Sequence, residues 1–244
     1  MSETKKPKIT PVLKMIEQAI KLWWKNLKKI VMVYVWGIVY ALIPVAVMFL
    51  LFALNETSLG NSWTFKGIAI FLAFWSFLFM IYFFIRTYIS MFLLLKKEFA
   101  GSERKIFEES KDYFWSYIVL VLLTLILSIL WFFALVIPML IFSVFYCLTA
   151  YAFFFEGKRD IDAVLRSYHL VRGYWWAVFG RVLLFGLALW LFIVIISLPM
   201  YAVSQTSTFY YIWSTLVQIA NMLIGPMAMI FTYHLFKDLV KIKS

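Results

Sequence analysis

Apolar residues in this chain fill long continuous runs, broken by short basic segments, with little alternation inside the runs. The runs cover Ile30 to Leu54, Gly67 to Leu95, Trp115 to Leu135, Pro138 to Phe155, Trp176 to Met200 and Ile212 to Leu235. A helix crossing a bilayer core needs about 20 apolar residues, and each run supplies nearly that or more. In hydrocarbon every backbone N–H and C=O must find an internal partner, so such runs are predicted as helices. Hardly any polar residue separates the third run from the fourth. The turn between Ala134 and Pro138 is therefore predicted to be very tight, or these two helices fall short of spanning.

Helical periodicity returns in the stretches before each odd-numbered run. Val12, Ile16, Ala19, Trp23 and Leu27 share one face at spacings of three and four, and Lys14, Lys21, Lys25 and Lys28 lie mostly away from it. Thr10 and Pro11 suit the start of that helix. In the third such stretch Ile161, Val164, Leu165, Tyr168 and Val171 share a face that excludes Arg159, Asp162, Arg166 and Arg172. The middle stretch, around Ile106, Phe107 and Phe114, is shorter and less regular. Helices of this kind either lie in the headgroup plane with the apolar face down or pack on the cytoplasmic ends of a bundle. The pattern allows both.

Composition reinforces the membrane reading. Of 244 residues, 65% are hydrophobic and 14% charged, against about 45–50% apolar and about 25% charged in soluble domains. A soluble core of this length cannot hide such an excess from water. The formal net charge of +11 would suggest nucleic acid in a soluble protein. Here the charges sit between apolar runs, where they meet anionic lipid headgroups, so no nucleic-acid partner is expected. The single cysteine, Cys147, precludes an internal disulfide. Met1 to Thr10 is polar and basic, without an apolar core and cleavage site, so a cleaved signal peptide is not expected.

Charge also sets orientation. Twenty of the 23 Lys and Arg residues precede the first run, separate the second from the third or the fourth from the fifth, or follow the sixth. Lys66 alone falls on the opposite side, and Arg86 and Arg181 lie within runs. The basic side is cytoplasmic by the positive-inside rule, which places both termini there.

The order of features repeats three times. A basic stretch leads to an aromatic pair (Trp23-Trp24, Phe114-Trp115, Trp175-Trp176), then an apolar helix reaching Pro44, Pro138 or Pro199. Trp115 to Pro138 and Trp176 to Pro199 are both 23 residues, and Trp24 to Pro44 is 20. Each second helix carries a Thr/Tyr pair near its inner end: Thr87-Tyr88, Thr149 with Tyr151, and Thr232-Tyr233. The predicted fold is an all-α membrane protein of six transmembrane helices arranged as three hairpins, each preceded by an interfacial amphipathic helix. Residues 1–244 form a single membrane domain. Residues 1–29 are a cytoplasmic basic amphipathic segment and 30–95 the first hairpin. Residues 96–156 hold a cytoplasmic segment and the second hairpin, and 157–244 a cytoplasmic segment, the third hairpin and a basic tail.

Enzyme motifs are missing from the sequence. His169 and His234 are the two histidines, and neither belongs to a zinc-ligand spacing. No phosphate loop or nucleophile elbow is present. The expectation is a non-enzymatic protein with no cofactor and no metal. Charged residues inside spans are functional candidates by default. Arg86, Arg181 and Glu156 are the candidate ligand-binding residues, forming an inner-leaflet pocket for an anionic headgroup or substrate. The competing reading is snorkelling and structural pairing. Gln218 and Asn221 stand one turn apart in the sixth run, just before Gly225-Pro226. They are expected to hydrogen-bond a neighbouring helix, the alternative being a helix broken at Gly225-Pro226 that opens onto a cavity.

The stretch from Glu156 to Phe179, with Ala163-Val164-Leu165-Arg166-Ser167-Tyr168 followed by Leu170-Val171-Arg172-Gly173 and aromatics, resembles the membrane domain of bacterial glycerophosphodiester phosphodiesterases and related stand-alone bacterial membrane proteins. Tyr168 stands where those usually carry Trp. The resemblance implies a multi-pass protein of a bacterial cytoplasmic membrane. It implies no activity, since the phosphodiesterase chemistry belongs to a separate barrel domain of about 250 residues. Two functions remain open at this level: binding or moving a lipid or other amphiphile, and a structural or regulatory role as a subunit of a larger membrane complex. Expected partners are the bilayer, anionic lipid headgroups and, in the second case, other membrane proteins.

Overall fold

A computed structural model describes residues 9–55, 62–134 and 136–244. The described residues form nine helices and no strand: α1 (Val12–Lys25), α2 (Leu27–Asn55), α3 (Trp63–Lys96), α4 (Glu103–Ala134), α5 (Val136–Tyr146), α6 (Thr149–Glu156), α7 (Asp160–Val171), α8 (Trp175–Tyr201) and α9 (Thr208–Lys243). Six segments are long and apolar enough to cross a membrane: α2, α3, α4, the α5–α6 segment from Pro138, α8 and α9. The predicted turn at Ala134 to Pro138 includes residue 135, which lies outside the described residues.

Helix ends follow local chemistry. α3 closes with Phe99 N–H donating to the Leu94 carbonyl at 2.8 Å and Glu98 N–H to Leu95 at 3.0 Å. This is the paired-bond C-terminal cap in which the residue past the helix turns left-handed. Glu98 takes that position with φ 50°, and Phe99, buried, supplies the apolar contact that closes the motif. The Lys29 ammonium donates to the Phe99 carbonyl and pins the turn to the start of α2. Gly157, at φ 68°, ends α6 in the same left-handed conformation without the Cβ penalty.

Two sequence expectations meet a different outcome. The middle amphipathic stretch is not a separate helix: α4 runs unbroken from Glu103 to Ala134, because no Pro or Gly interrupts it. α2 covers the predicted run Ile30 to Leu54 and continues through Pro44 to Asn55, and α9 likewise runs through Pro226. A proline inside a helix deletes one backbone bond, and flanking turns held by the surrounding lattice of bonds can carry the helix past it. The fourth span, predicted continuous, is broken at Cys147-Leu148 into α5 and α6.

The described chain divides into two compact units, Met1–Leu27 with Ile118–Ser244, and Lys28–Tyr117. In each, burial concentrates on one end of a span. In the second unit α3 is buried almost all round from Arg86 to Leu95, whereas its earlier half is largely exposed. In the first unit the buried stretches are Thr149 to Phe154 of α6 and Met229 to Leu239 of α9. The remaining parts of α2, α3, α4 and α8 carry exposed Leu, Ile and Phe, which suits side chains facing acyl tails rather than water.

The two amphipathic helices pack on their own unit. α1 lies on α9 and touches α8, burying Met15 and Ala19. α7 lies on α6, α5 and α9, burying Ala163, Val164, Ser167, Leu170 and Val171. This face of α7 is rotated from the one read off the sequence: Ile161 and Leu165 are exposed. Small Ala163 and Ser167 win the buried side because they allow close approach.

Candidate functional site

A feature with the shape of a binding site lies within the second unit, between the middles of α2 and α3. It is a half-open groove of about 310 Å³, lined by Tyr40, Ile43, Pro44 and Val47 from α2 and by Leu72, Trp75, Ser76, Phe79 and Phe83 from α3. Its walls are almost wholly apolar. Pro44 forms part of its wall. Pro44 has no N–H to meet the Tyr40 carbonyl one turn earlier, so that helical bond is missing beside the groove. The polar atom on the α3 side is the Ser76 hydroxyl; the residue is 5% exposed and makes no hydrogen bond among the described residues. A volume of this size is at the low end of ligand pockets, which run from about 300 to 1,000 Å³.

Below the groove stands an aromatic stack ending on Arg86. Tyr40 stacks on Phe83, with ring centroids 5.8 Å apart, and on Phe107, at 5.1 Å and an interplanar angle of 7°. The Arg86 guanidinium carbon sits 4.5 Å above the Phe107 ring and 5.4 Å from that of Tyr82. Its Nε donates to the Ser110 hydroxyl at 3.0 Å. One terminal nitrogen donates to the Phe107 carbonyl and, at 3.5 Å, to that of Glu108. Arg86 is 8% exposed. Cation–π contact and backbone carbonyls thus neutralise this charge without a carboxylate.

The other two candidates also have protein partners. Arg181 donates from Nε and Nη2 to the Thr10 carbonyl at 3.2 and 3.0 Å, from Nη2 to Ile9 at 3.2 Å, and from Nη1 to Ala177 at 2.9 Å. The Asp238 carboxylate accepts from the Thr10 N–H at 3.0 Å, so the entry to α1 is clasped between α8 and α9. Glu156 accepts a two-pronged bond from Arg166, at 2.7 and 2.8 Å, a geometry that adds both energy and direction. The pair holds the Arg166 guanidinium further toward its charged form than usual. The three residues expected to share one anionic pocket are therefore bonded to separate local partners, Arg86 in one unit and Arg181 and Glu156 in the other.

Ser167 was not singled out in the sequence. It is fully buried; its hydroxyl donates to the Phe145 carbonyl at 2.5 Å and accepts from the Leu148 N–H at 3.2 Å. It thereby satisfies backbone groups left open by the break between α5 and α6. Its place within the Arg166-Ser167 motif was the available signal. Gln218, Asn221 and Gly225 are exposed along one side of α9, so the amides expected to bond a neighbouring helix face outward. The aromatic pairs divide their roles. Trp23 donates from its indole to the Leu223 carbonyl at 2.9 Å, Trp175 donates to Ile141 at 3.0 Å, and Phe114 is buried. The second members, Trp24, Trp115 and Trp176, are 70%, 73% and 78% exposed.

Among the described residues no three His, Cys, Asp or Glu side chains gather where a metal ion could be held. No protein-family model matches the chain, and searches of curated proteins and of solved structures find no match.

Proposed function

We propose that this polytopic membrane protein is a non-enzymatic component that holds the apolar tail of a lipid or similar amphiphile in the groove between α2 and α3. The observation that carries the reading is the groove itself: an apolar cleft at mid-helix, with Pro44 in one wall and Ser76 as the polar residue of the other. In a bilayer no hydrophobic force drives a tail from lipid to protein, since both are equally apolar. Selectivity then comes from shape and from that hydroxyl. The cytoplasmic placement of both termini, the cytoplasmic membrane as location and the threefold repeat belong to the same reading. The likeness to the phosphodiesterase-associated membrane domain is proposed on Glu156, Arg166 and Ser167, which here knit helices together and point to a membrane class without chemistry.

The test uses a phosphatidylglycerol carrying a diazirine in its acyl chain, photolysed with the protein in nanodiscs and mapped by peptide mass spectrometry. Adducts concentrated on Val47, Leu72 and Phe79, above those on the more exposed Ile70 and Phe84, and reduced by Ser76→Phe, support the groove. Adducts that simply follow exposure sink it.

A second reading, a subunit of a larger membrane complex, is favoured by the outward amides of Gln218 and Asn221 with Gly225 on the same side. Side-chain amides within a span gain by meeting a partner helix, and glycine lets that helix approach. Asn221→Cys in a Cys147→Ser background, oxidised in native membranes, separates the two: a crosslinked adduct lost in Gln218→Leu speaks for the complex.

A further inference from the structure

The first half of α9 has one packed side. The Trp213 indole donates to the Ile196 carbonyl of α8 at 2.8 Å, and Val217 is buried, which fixes the rotation of the helix about its axis. At 3.6 residues per turn, the rest of its surface from Phe209 to Gly225 resolves into two strips. One is apolar: Phe209, Ile212, Leu216 and Ile219, all exposed. The other carries Tyr211, Gln218, Asn221 and Gly225, also exposed, with Ser214 half-buried among them. Neither strip holds a charged residue. Ser214 and Thr215 both turn their hydroxyls back on the Tyr211 carbonyl of their own helix, at 2.9 Å. Among the described residues the Gln218 and Asn221 amides have no hydrogen-bond partner.

The apolar strip is at rest among acyl chains. A strip with two free amides is not, because hydrocarbon offers neither donor nor acceptor. A hydroxyl can satisfy itself on its own helix, whereas an amide carries two donors and an acceptor and needs a group beyond it. The same charge asymmetry inserts every copy of the chain in one orientation. Two copies related by a two-fold axis along the membrane normal therefore set α9 beside α9 in parallel, and residues near the axis meet their own counterparts. A lysine or glutamate there would repel itself. An amide does not, since the carbonyl of each accepts from the NH2 of the other. Gly225, one turn past Asn221, lets the two backbones approach. We propose that this strip is the interface for a second copy of the chain, with Gln218 and Asn221 each hydrogen-bonded to the same residue of the other copy. The proposal rests on the reading of the protein as a subunit of a membrane complex and names the partner; it does not depend on the α2–α3 groove.

The test uses the full chain with Ser214→Cys in a Cys147→Ser background, as two differently tagged copies expressed together and oxidised in native membranes. Ser214 lies on the polar strip, and its replacement leaves both amides in place. The expected product is a disulfide-linked species of twice the chain's mass that carries both tags. Leu216→Cys, on the apolar strip, should give it in about fivefold lower yield. Adding Gln218→Leu and Asn221→Leu to Ser214→Cys should lower the yield by a similar factor, about fivefold. Melting temperatures check that each variant is folded. The comparison of Ser214 with Leu216 changes neither amide, so it decides the matter even if the leucine pair fails to fold. Equal yields at the two positions, or a yield that the leucines leave unmoved in a folded chain, overturn the proposal. An adduct that joins Ser214→Cys to a different protein overturns the second copy and keeps the complex. No adduct of any kind overturns the proposal and takes the support from the complex as well.

Discussion

Gly37 of α2 faces the Thr87 side chain of α3 so closely that a Cβ at position 37 would overlap the Thr87 hydroxyl oxygen and lie 3.3 Å from its Cβ. Thr87 donates that hydroxyl to the Phe83 carbonyl one turn back, at 2.9 Å, which holds the rotamer in place. Close contact between helices in lipid relies on such small residues, because packing takes the place of hydrophobic drive. Gly37→Ala is expected to destabilise the protein by about 1–3 kcal/mol through overpacking. Thr87→Ala in the same chain should recover most of that, since it removes the overlapping oxygen. A double-mutant cycle on thermal melting in detergent checks it; strictly additive losses would mean the contact is not made.

Arg86 is expected to act through stability rather than ligand binding. Its donors already reach Ser110, Phe107 and Glu108. Arg86→Leu strands these acceptors and removes the cation above Phe107, costing about 2–3 kcal/mol. The melting temperature should fall in detergent by the same amount with or without added phosphatidylglycerol. A loss seen only when the anionic lipid is present would return Arg86 to a ligand site.

Glu156 and Arg166 form a partly buried pair with both carboxylate oxygens engaged. Glu156→Gln is expected to lower stability by about 1 kcal/mol, more than a wholly exposed ion pair contributes. The exchanged pair Glu156→Arg with Arg166→Glu should melt above either single reversal. If the exchange is no better than the worse single variant, the pair contributes no direct coupling.

Ser167 bonds the two ends of the break in the fourth span. Ser167→Ala leaves a buried N–H and a carbonyl without this partner, at about 1–3 kcal/mol. Amide exchange should quicken at Leu148 before it does in the middle of α8. Unchanged exchange there would show that the break is held by other contacts.

Topology has its own check. Cysteines at Lys66 and Gln205 should react with an impermeant thiol reagent on intact cells, and those at Lys105 and Arg166 only after lysis, all in a Cys147→Ser background. Reaction of the latter two on intact cells reverses the orientation.

The sequence by itself determined the membrane class, the six segments capable of spanning, the helices α1 and α7 and the segregation of basic charge. These follow from composition and period, properties of a single segment in its solvent. What a segment touches is not written in its own period. The residues flanking Cys147 read as one apolar helix because nothing local forbids it; the break exists because Ser167 of another helix supplies the missing bonds. Arg86 is legible as a costly charge, but its partners come from Phe107 to Ser110, which became neighbours only when α3 met α4. Pro44 is visible as a helix defect, yet the cleft it lines needs Ser76 and Phe79 of α3 opposite. Gly37 says only that a backbone is bare; that Thr87 fills the space was decided by tertiary structure, because close packing is a property of two surfaces and the sequence describes each of them alone.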